Sequence, residues 1–264
     1  MATGGTISVL SWNLWWRFGP WEERLPAIVE TVRRLGPDVM GLQEVWVADG
    51  TSSAHHIAEA LGYHVAVEHR LELDGVGFGN AVVSRWPITG SELVPLPGEA
   101  DDEERFVLAA DIDGETGPLQ VFSTHLNWRY DHSHIRQQQV RALCEAVAAR
   151  RPRTYPPVVC GDFNAEPDSV EIAMVTGKAS VPVPGLVLVD AWSATGEAGG
   201  HTWSNANPFA AAEFEHQRRI DYVLTGWRRP DGRGQAVSCR VVGDQPIGGV
   251  WPSDHFGVLA ELRA

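Results

Sequence analysis

Cysteine is rare in this sequence, and cations are outnumbered. Three cysteines occur among 264 residues, Cys144, Cys160 and Cys239. They are odd in number, widely separated, and form neither a CxxC pair nor a metal-thiolate spacing, which argues against a disulfide scaffold and a structural zinc centre. Lysine and arginine total 21 against 34 aspartates and glutamates, a net charge of −13. Nucleic acid is a possible partner that this charge disfavours, because affinity for a polyphosphate normally comes from surface cations that neutralise it. The basic clusters Arg150-Arg151-Pro152-Arg153 and Arg228-Arg229 are too few and too separated to reverse the balance. No apolar run reaches membrane-spanning length, and no basic segment precedes the strand-like start of the chain, so no membrane segment or secretion signal is read and a cytoplasmic location is expected. Short-period repeats and low-complexity linkers are also lacking, so residues 1–264 are expected to form one domain.

What is present is a soluble globular pattern, 44% hydrophobic and 21% charged. Residues 6–13 read as a strand. Residues 21–35 read as a helix with Leu25, Ile28, Val29, Val32 and Leu35 on one stripe and Gly36-Pro37 as the stop, and residues 38–44 as a short buried strand. After a helix at 55–61, strands are expected at 64–70, 80–85, 105–112 and 119–126. A helix at 133–150 buries Val140, Leu143, Cys144 and Val147, and a proline-rich stretch at 152–157 leads to a strand at 158–162. Strands at 219–225, 236–242 and 256–263 complete the chain. Strands dominate with helices inserted between them, which predicts an α/β (α+β) fold of two packed sheets with helices outside.

Polar residues recur where these apolar segments end: Asn13, Gln43-Glu44, His125, Asp162 with Asn164, Asp221, and Asp254-His255. Singly, each has an ordinary reading. Asn13, Asp162 and Asn164 suit turns, His125 suits a satisfied buried histidine, Asp221 could pair with Arg218 or Arg219, and Asp254 could cap a helix after Pro252. Together they need a shared reason, because buried carboxylates cost several kcal/mol unless paired or coordinated. Convergence on a divalent cation supplies one. His55-His56 and His132/His134 are read as carrying no role, the second pair as solvent-exposed at a helix start, and the acidic run 99–104 as a solvated loop.

In order, Ser11-Trp12-Asn13, Leu42-Gln43-Glu44, Ser123-Thr124-His125-Leu126, Gly161-Asp162-Phe163-Asn164-Ala165-Glu166-Pro167, Arg219-Ile220-Asp221-Tyr222 and Ser253-Asp254-His255 resemble the endonuclease/exonuclease/phosphatase superfamily over nearly the whole chain. The resemblance implies a four-layered sandwich, two mixed β-sheets flanked by helices, with the site where strand ends of both sheets meet. It implies Mg²⁺ or Mn²⁺ rather than Zn²⁺, with Glu44 as direct ligand, Asn13 completing or buttressing the site, and Asp254 as a second ligand or the anchor of a water. His255 paired with Asp221, or else Asp162, would activate the attacking water, and Asn164 and His125 would donate to phosphoryl oxygens.

The implied activity is a metal-dependent phosphoesterase that hydrolyses a P–O bond by in-line attack of water. The acidic balance points to a small or lipid-like phosphodiester or phosphomonoester. The alternatives are a deoxyribonuclease or apurinic-site-type endonuclease, and a catalytically silent binding module on the same fold. Arg129, Arg136 and Gln137, just beyond His125, and Arg85 are candidates for substrate phosphate. Trp12, Trp15, Trp16, Phe18, Trp21, Trp46 and Trp128 crowd the motif segments, and two or more of them, Trp15 and Trp16 above all, are expected to wall the cleft. No protein partner is evident.

Overall fold

The computed structural model describes residues 5–99, 103–150, 154–197 and 199–264. The middle of the acidic run, most of the Arg150–Arg153 cluster and the first four residues lie outside these. In chain order the elements are β1 (Thr6–Asn13), α1 (Trp21–Leu35), β2 (Val39–Ala48), β3 (Thr51–Ser52), α2 (Ser53–Leu61), β4 (His64–Leu73), β5 (Val76–Ser84), β6 (Ile88–Pro95) and β7 (Phe106–Gly114). There follow β8 (Gly117–His125), α3 (Ser133–Ala149), β9 (Val158–Asp162), α4 (Val170–Val175), β10 (Leu188–Asp190), α5 (Ala191–Thr195), α6 (Pro208–Ala212), β11 (Asp221–Gly226), β12 (Ala236–Val242) and β13 (Gly257–Arg263).

The strands form two mixed sheets. One has the order β12-β13-β1-β2-β5-β4, with β3 on β2, and the other β10-β11-β9-β8-β7-β6. Each is centred on a parallel pair, β1 with β2 and β8 with β9, while the other pairings are antiparallel. A parallel pair needs a crossover, and α1 and α3 supply it as the middle of two β-α-β units. Leu10, Met40 and Leu42 pack under Ile28, Val32 and Ile57, while Phe122, Val159 and Leu224 pack under Val140, Leu143 and Val147. Between the sheets lie Val9, Val39, Val82, Leu108, Val121, Cys160 and Val223. The expected four layers are therefore present, each sheet burying both faces. Among the described residues no helix is long and apolar enough to cross a membrane.

Period-two alternation carries this packing to the site. Val9 and Ser11 face the other sheet, and so does Asn13; Val121, Ser123 and His125 follow the same parity, as do Val158, Cys160 and Asp162. Because parallel neighbours end together, Asn13 lies opposite Gln43 and His125 opposite Asp162, and antiparallel β11 starts with Asp221 opposite Asp162. In β2 a bulge between Leu42 and Val45 interrupts pairing with β5, and Glu44 takes φ +50° there. The bulge turns Glu44 toward the cleft from a strand that otherwise runs on to Ala48.

Helix α1 departs from its expected stripe. The deep face is Arg24, Ala27, Ile28, Thr31 and Val32, with Leu25, Val29 and Leu35 only half-buried. A polar residue heads this face because Arg24 binds backbone rather than packing as apolar surface. Gly36 ends the helix in the left-handed conformation, as the sequence predicts. β6, β10 and the short α4, α5 and α6 were not anticipated.

The sheets approach most closely at Gly41, where an added Cβ would lie 2.3 Å from the Cys160 Cβ. Neither backbone can withdraw without unpairing a central strand. Gly41→Ala is expected to destabilise the protein by about 1–3 kcal/mol, the usual cost of overpacking. Denaturant unfolding should show this loss shrinking when Cys160→Gly is added; additive effects of the two changes would refute the close approach.

Candidate functional site

The cleft at these strand ends begins with a hydrogen-bonded pair of carboxylates. Asn13 Nδ2 donates to Glu44 Oε1 and to Asp162 Oδ2, both at 3.0 Å, while its Oδ1 accepts from Trp15 N at 2.9 Å. That backbone donor fixes the amide orientation, so Asn13 ties the carboxylates together and buttresses the acidic group, with one lone pair of its oxygen engaged.

Asp162 also accepts from Asn164 N at 2.9 Å, and its Oδ2 lies 3.4 Å from His125 Nε2 and 3.7 Å from His255 Nε2. Asn164, at φ +48°, brings Nδ2 within 3.1 Å of His125 Nε2. His255 Nδ1 meets Asp221 Oδ2 at 2.9 Å. Behind these, Trp12 Nε1 donates to the His255 carbonyl and Ser253 Oγ to the Asn13 carbonyl, while Asn207 Nδ2 donates to the Ser253 and Asp254 carbonyls. No helix follows Asp254, so its reading as a cap falls; it belongs to a tied-down loop entering β13.

Arg105, which sequence reasoning placed only as a strand residue, is buried in the cleft. Its Nη1 lies 2.8 Å from His125 Nδ1. A guanidinium can only donate, so His125 Nδ1 accepts and the ring proton sits on Nε2, directed at Asp162 Oδ2, while the Asn164 amide, itself a donor, gives its proton to the Leu126 carbonyl. Burial and the Arg105 charge hold the His125 pKa well below its ordinary value. For His255, burial acts the same way but is overcome by Asp221, Asp162 and Asp254, which raise it well above the ordinary value. Burial pushes Asp162 up, yet His125, His255 and the Asn13 hydrogen bond outweigh it and the net shift is downward. Burial raises Asp221 and lifts Asp254 to about 6 and Glu44 to about 8, with the Asp254 charge adding to the rise at Glu44.

The cleft has about 330 Å³ of space, and rings dominate its walls: Trp15, Phe18, Phe78, Trp128, Tyr130, Trp203 and Phe209. Trp203 meets His255 edge to face at 5.0 Å. Phe78, Trp203 and Phe209 had no motif signal in the sequence. Trp15 lines the cleft as expected. Trp16 stands behind the wall, its Nε1 on the Gly77 carbonyl and its ring beside Phe18 and Phe78. Trp12 is core, and Trp21 and Trp46 clamp Arg17.

Four expected phosphate contacts are corrected. Arg85 sits at the far end of β5, paired with Asp38 at 3.1 Å and Tyr63 at 3.0 Å. Arg136 is buried in an ion pair with Glu171 at 3.0 Å and binds the Asn127 and Arg129 carbonyls, so it shapes the loop after His125. Arg129 is half-buried with its guanidinium 5.9 Å from the Trp128 ring centre, outside the lining of the cleft. Gln137 turns to Ser133. Asp221 pairs with neither arginine considered for it: Arg219 holds Asp190, and Arg218 holds Glu215. His132 is buried rather than exposed.

The family model for the endonuclease/exonuclease/phosphatase family matches residues 10–255, from the strand that ends at Asn13 through His255. The chain belongs to this family. Members are metal-dependent hydrolases acting on phosphoester bonds. Among curated relatives, exodeoxyribonuclease III of Haemophilus influenzae is 26% identical over 156 residues, which cover 57% of this chain and 55% of that protein. Nocturnin of Xenopus laevis is 29% identical over 161 residues, covering 56% and 41% respectively. The chain thus matches about half the length of these relatives, or less. Among solved structures, D. rerio TDP2 complexed with single-strand DNA product superposes with a TM-score of 0.80 at 19% identity, covering 98% of this chain and 99% of that one. A family protein from Bacteroides thetaiotaomicron gives 0.77 at 20% identity, covering 97% and 94%. These likenesses establish the fold.

The residues present fit a hard divalent cation. Glu44 Oε2 is buried and has no hydrogen-bond partner, an acceptor with unmet demand beside Asp254. Asp162, Asp221 and His255 also offer ligand atoms within 4.8 Å of one another. Asp221 Oδ1 is likewise buried without a hydrogen-bond partner, but the other oxygen of that carboxylate is bonded to His255, whereas Glu44 is held by the neutral Asn13 amide. In the metal-free protein, folding raises the Glu44 pKa from 4.5 to about 8, so the folded state holds a proton that the unfolded chain releases. The contribution of Glu44 to stability therefore falls as pH rises through that window, and a cation competing for the same oxygens binds better as it does. We expect Mg²⁺ or Mn²⁺ to raise Tm more at pH 8 than at pH 5, and Glu44→Gln to shrink the difference to the part that Asp254, at about 6, contributes. Equal increments at both pH values in the unsubstituted protein would take Glu44 out of the ligand set.

Proposed function

We propose that the chain is a Mg²⁺- or Mn²⁺-dependent hydrolase of compact phosphoesters that carry an apolar or aromatic group. The observation that carries this reading is the cleft itself: aromatic rings and two arginines, Arg105 and Arg218, surround the acidic centre in a space of small-ligand size. Rings bury an apolar leaving group at about 25 cal/mol per Å² without any need for surface cations.

In this reading Glu44 and Asp254 hold the cation, which supplies charge neutralisation at the phosphoryl group, and Asn13 fixes the spacing of Glu44 and Asp162. Asp162 stays ionised between its donors and takes the proton of the attacking water. His255, kept cationic by Asp221, stabilises charge gathering on the phosphoryl oxygens, with Asn164 and the Nε2–H of His125 as neutral donors. Arg105 adds a guanidinium and sets the His125 tautomer.

A second reading, a nuclease, is favoured by one finding: exodeoxyribonuclease III is among the relatives, and the TDP2 neighbour is complexed with single-strand DNA product. A strand end could lie on the same rings by stacking, whereas a long duplex meets a chain of net charge −13.

Chelation should abolish hydrolysis of bis(p-nitrophenyl) phosphate or p-nitrophenyl phosphate, and Mg²⁺ or Mn²⁺ should restore it; metal-independent turnover would end the proposal. With no turnover of any phosphoester under any metal, the silent binding module would stand instead. Glu44→Ala, Asp162→Asn and His255→Ala should each lower kcat at least about a hundredfold, and Asp162→Asn with His255→Ala should fall far short of the product of the single effects.

Substrate class is decided by kcat/KM for an aryl phosphodiester, single-stranded RNA and duplex DNA at low and moderate salt. The aryl ester should win, and Trp15→Ala should lower its kcat/KM. Preference for duplex DNA with a steep loss at higher salt would replace this reading with the nuclease.

A further inference from the structure

Arg218, like Arg105, lines the cleft while almost wholly buried. It is 8% exposed, and its Nε is buried with no hydrogen-bond partner. Its guanidinium lies 4.8 Å from the Tyr130 ring centre and 5.8 Å from that of Trp203, so two rings on different loops hold it in place. The backbone is fixed as well: Trp203 N donates to the Arg218 carbonyl at 3.0 Å and Arg218 N to the Trp203 carbonyl at 2.9 Å. Trp203 touches His255 with its other side. Arg218 is therefore one indole away from the reacting centre, and no role in water activation reaches it.

Among the described residues its ionic partner is Glu215, three residues earlier, whose side chain is 30% exposed and also lines the cleft. A preorganised guanidinium that faces a ligand-sized space and is held by a solvent-accessible carboxylate from its own loop can exchange that carboxylate for another oxyanion without change of net charge. The rings keep the cation in place during the exchange, so little side-chain freedom is lost on binding.

We propose that Arg218 forms a second anion subsite of the cleft, with Glu215 as its resident occupant, and that the substrates favoured here carry an oxyanion in addition to the phosphoryl group that is attacked. This rests on the cleft being the substrate site, and it narrows the substrate class to compact phosphoesters with a second phosphate or carboxylate about one ring away. Arg105 and Arg218 then divide the work: the first serves the reacting phosphoryl group through His125, the second orients the rest of the molecule. Glu215 acts as a competitor that simple uncharged leaving groups cannot displace.

The experiment compares binding of thymidine 3′,5′-bisphosphate and thymidine 5′-monophosphate by calorimetry, with metal chelated so that neither is consumed. The bisphosphate should bind about tenfold more tightly or better, as a hydrogen bond to a charged partner allows. Arg218→Gln should bring the ratio close to one, and Glu215→Gln, an isosteric change at a half-buried position, should widen it. Equal binding of the two nucleotides by the unsubstituted protein, a preference that survives Arg218→Gln, or a ratio that narrows in Glu215→Gln would each overturn the subsite. A parallel assay of thymidine 5′-(p-nitrophenyl phosphate) with and without a 3′-phosphate separates this from the reading beneath it. Failure to turn over either ester with the binding preference intact would sink the hydrolase and leave the anion subsite standing.

Discussion

Four carboxylates, Glu44, Asp162, Asp221 and Asp254, end in one cleft beneath which both sheets are closed, and keeping them there is the constraint on which the rest depends. Burying an unpaired charge costs several kcal/mol, and like charges raise that cost. The protein does not pool the four; it differentiates them. Asp221 is joined to His255, and Asp162 is surrounded by donors from Asn13, Asn164 and two histidines. Glu44 and Asp254 are left with less compensation, and burial lifts their pKa values to about 8 and about 6. The pair with most to gain from a cation and the carboxylate best kept ionised are thus different groups, set apart by their neighbours alone.

Holding these groups still requires backbone conformations that side chains rarely adopt. Glu44, Asn164, Trp15 and Trp16 all have positive φ, at +50°, +48°, +57° and +34°. Such strain persists only where surrounding structure overdetermines it. Arg24 shows how. Its guanidinium donates to the carbonyls of Leu14, Trp15, Trp16, Phe18 and Pro252, which staples residues 14–18 to the loop that carries Asp254. Burial lowers its pKa to about 10, still far above neutrality, so the staple stays charged. One buried cation on a helix that otherwise packs the sheet of β1 and β2 therefore positions the Trp15 wall and Asp254 together.

This division also explains what could be read from the sequence. Asn13, Glu44, His125, Asp162, Asn164, Asp221, Asp254 and His255 were legible because each follows an apolar strand and belongs to a short motif whose order is preserved. The central strands and both crossover helices were legible for the same reason, since their periodicity is strong. Arg105 was not, because an arginine at a strand start has the ordinary reading of a solvated charge, and its value comes from register: β7 brings it beside β8 and His125. Arg24 hid inside an amphipathic pattern whose apolar residues suggested a stripe rotated from the true one. Trp203 lies in an irregular segment with no period, and Phe209 in the five-residue α6, too short to show one. Arg85 and Arg136 misled because proximity in sequence to a motif says nothing about which end of a strand a side chain occupies; β5 runs antiparallel to β2 and carries Arg85 away from Glu44.

Net charge misleads in a related way if taken as a statement about the cleft. The value of −13 governs long-range attraction, which salt screens beyond about 8–10 Å, whereas recognition inside the cleft depends on charges within direct reach. There Arg105 and Arg218 stand among aromatic walls, each matched by a rim glutamate, Glu103 or Glu215. An acidic exterior with matched cations inside discourages long polyanions that must track across the surface, while leaving a short anion able to compete for a guanidinium once it has entered. What the cleft offers an anion therefore depends on where these arginines are, just before β7 and just before β11, and not on how many the chain contains.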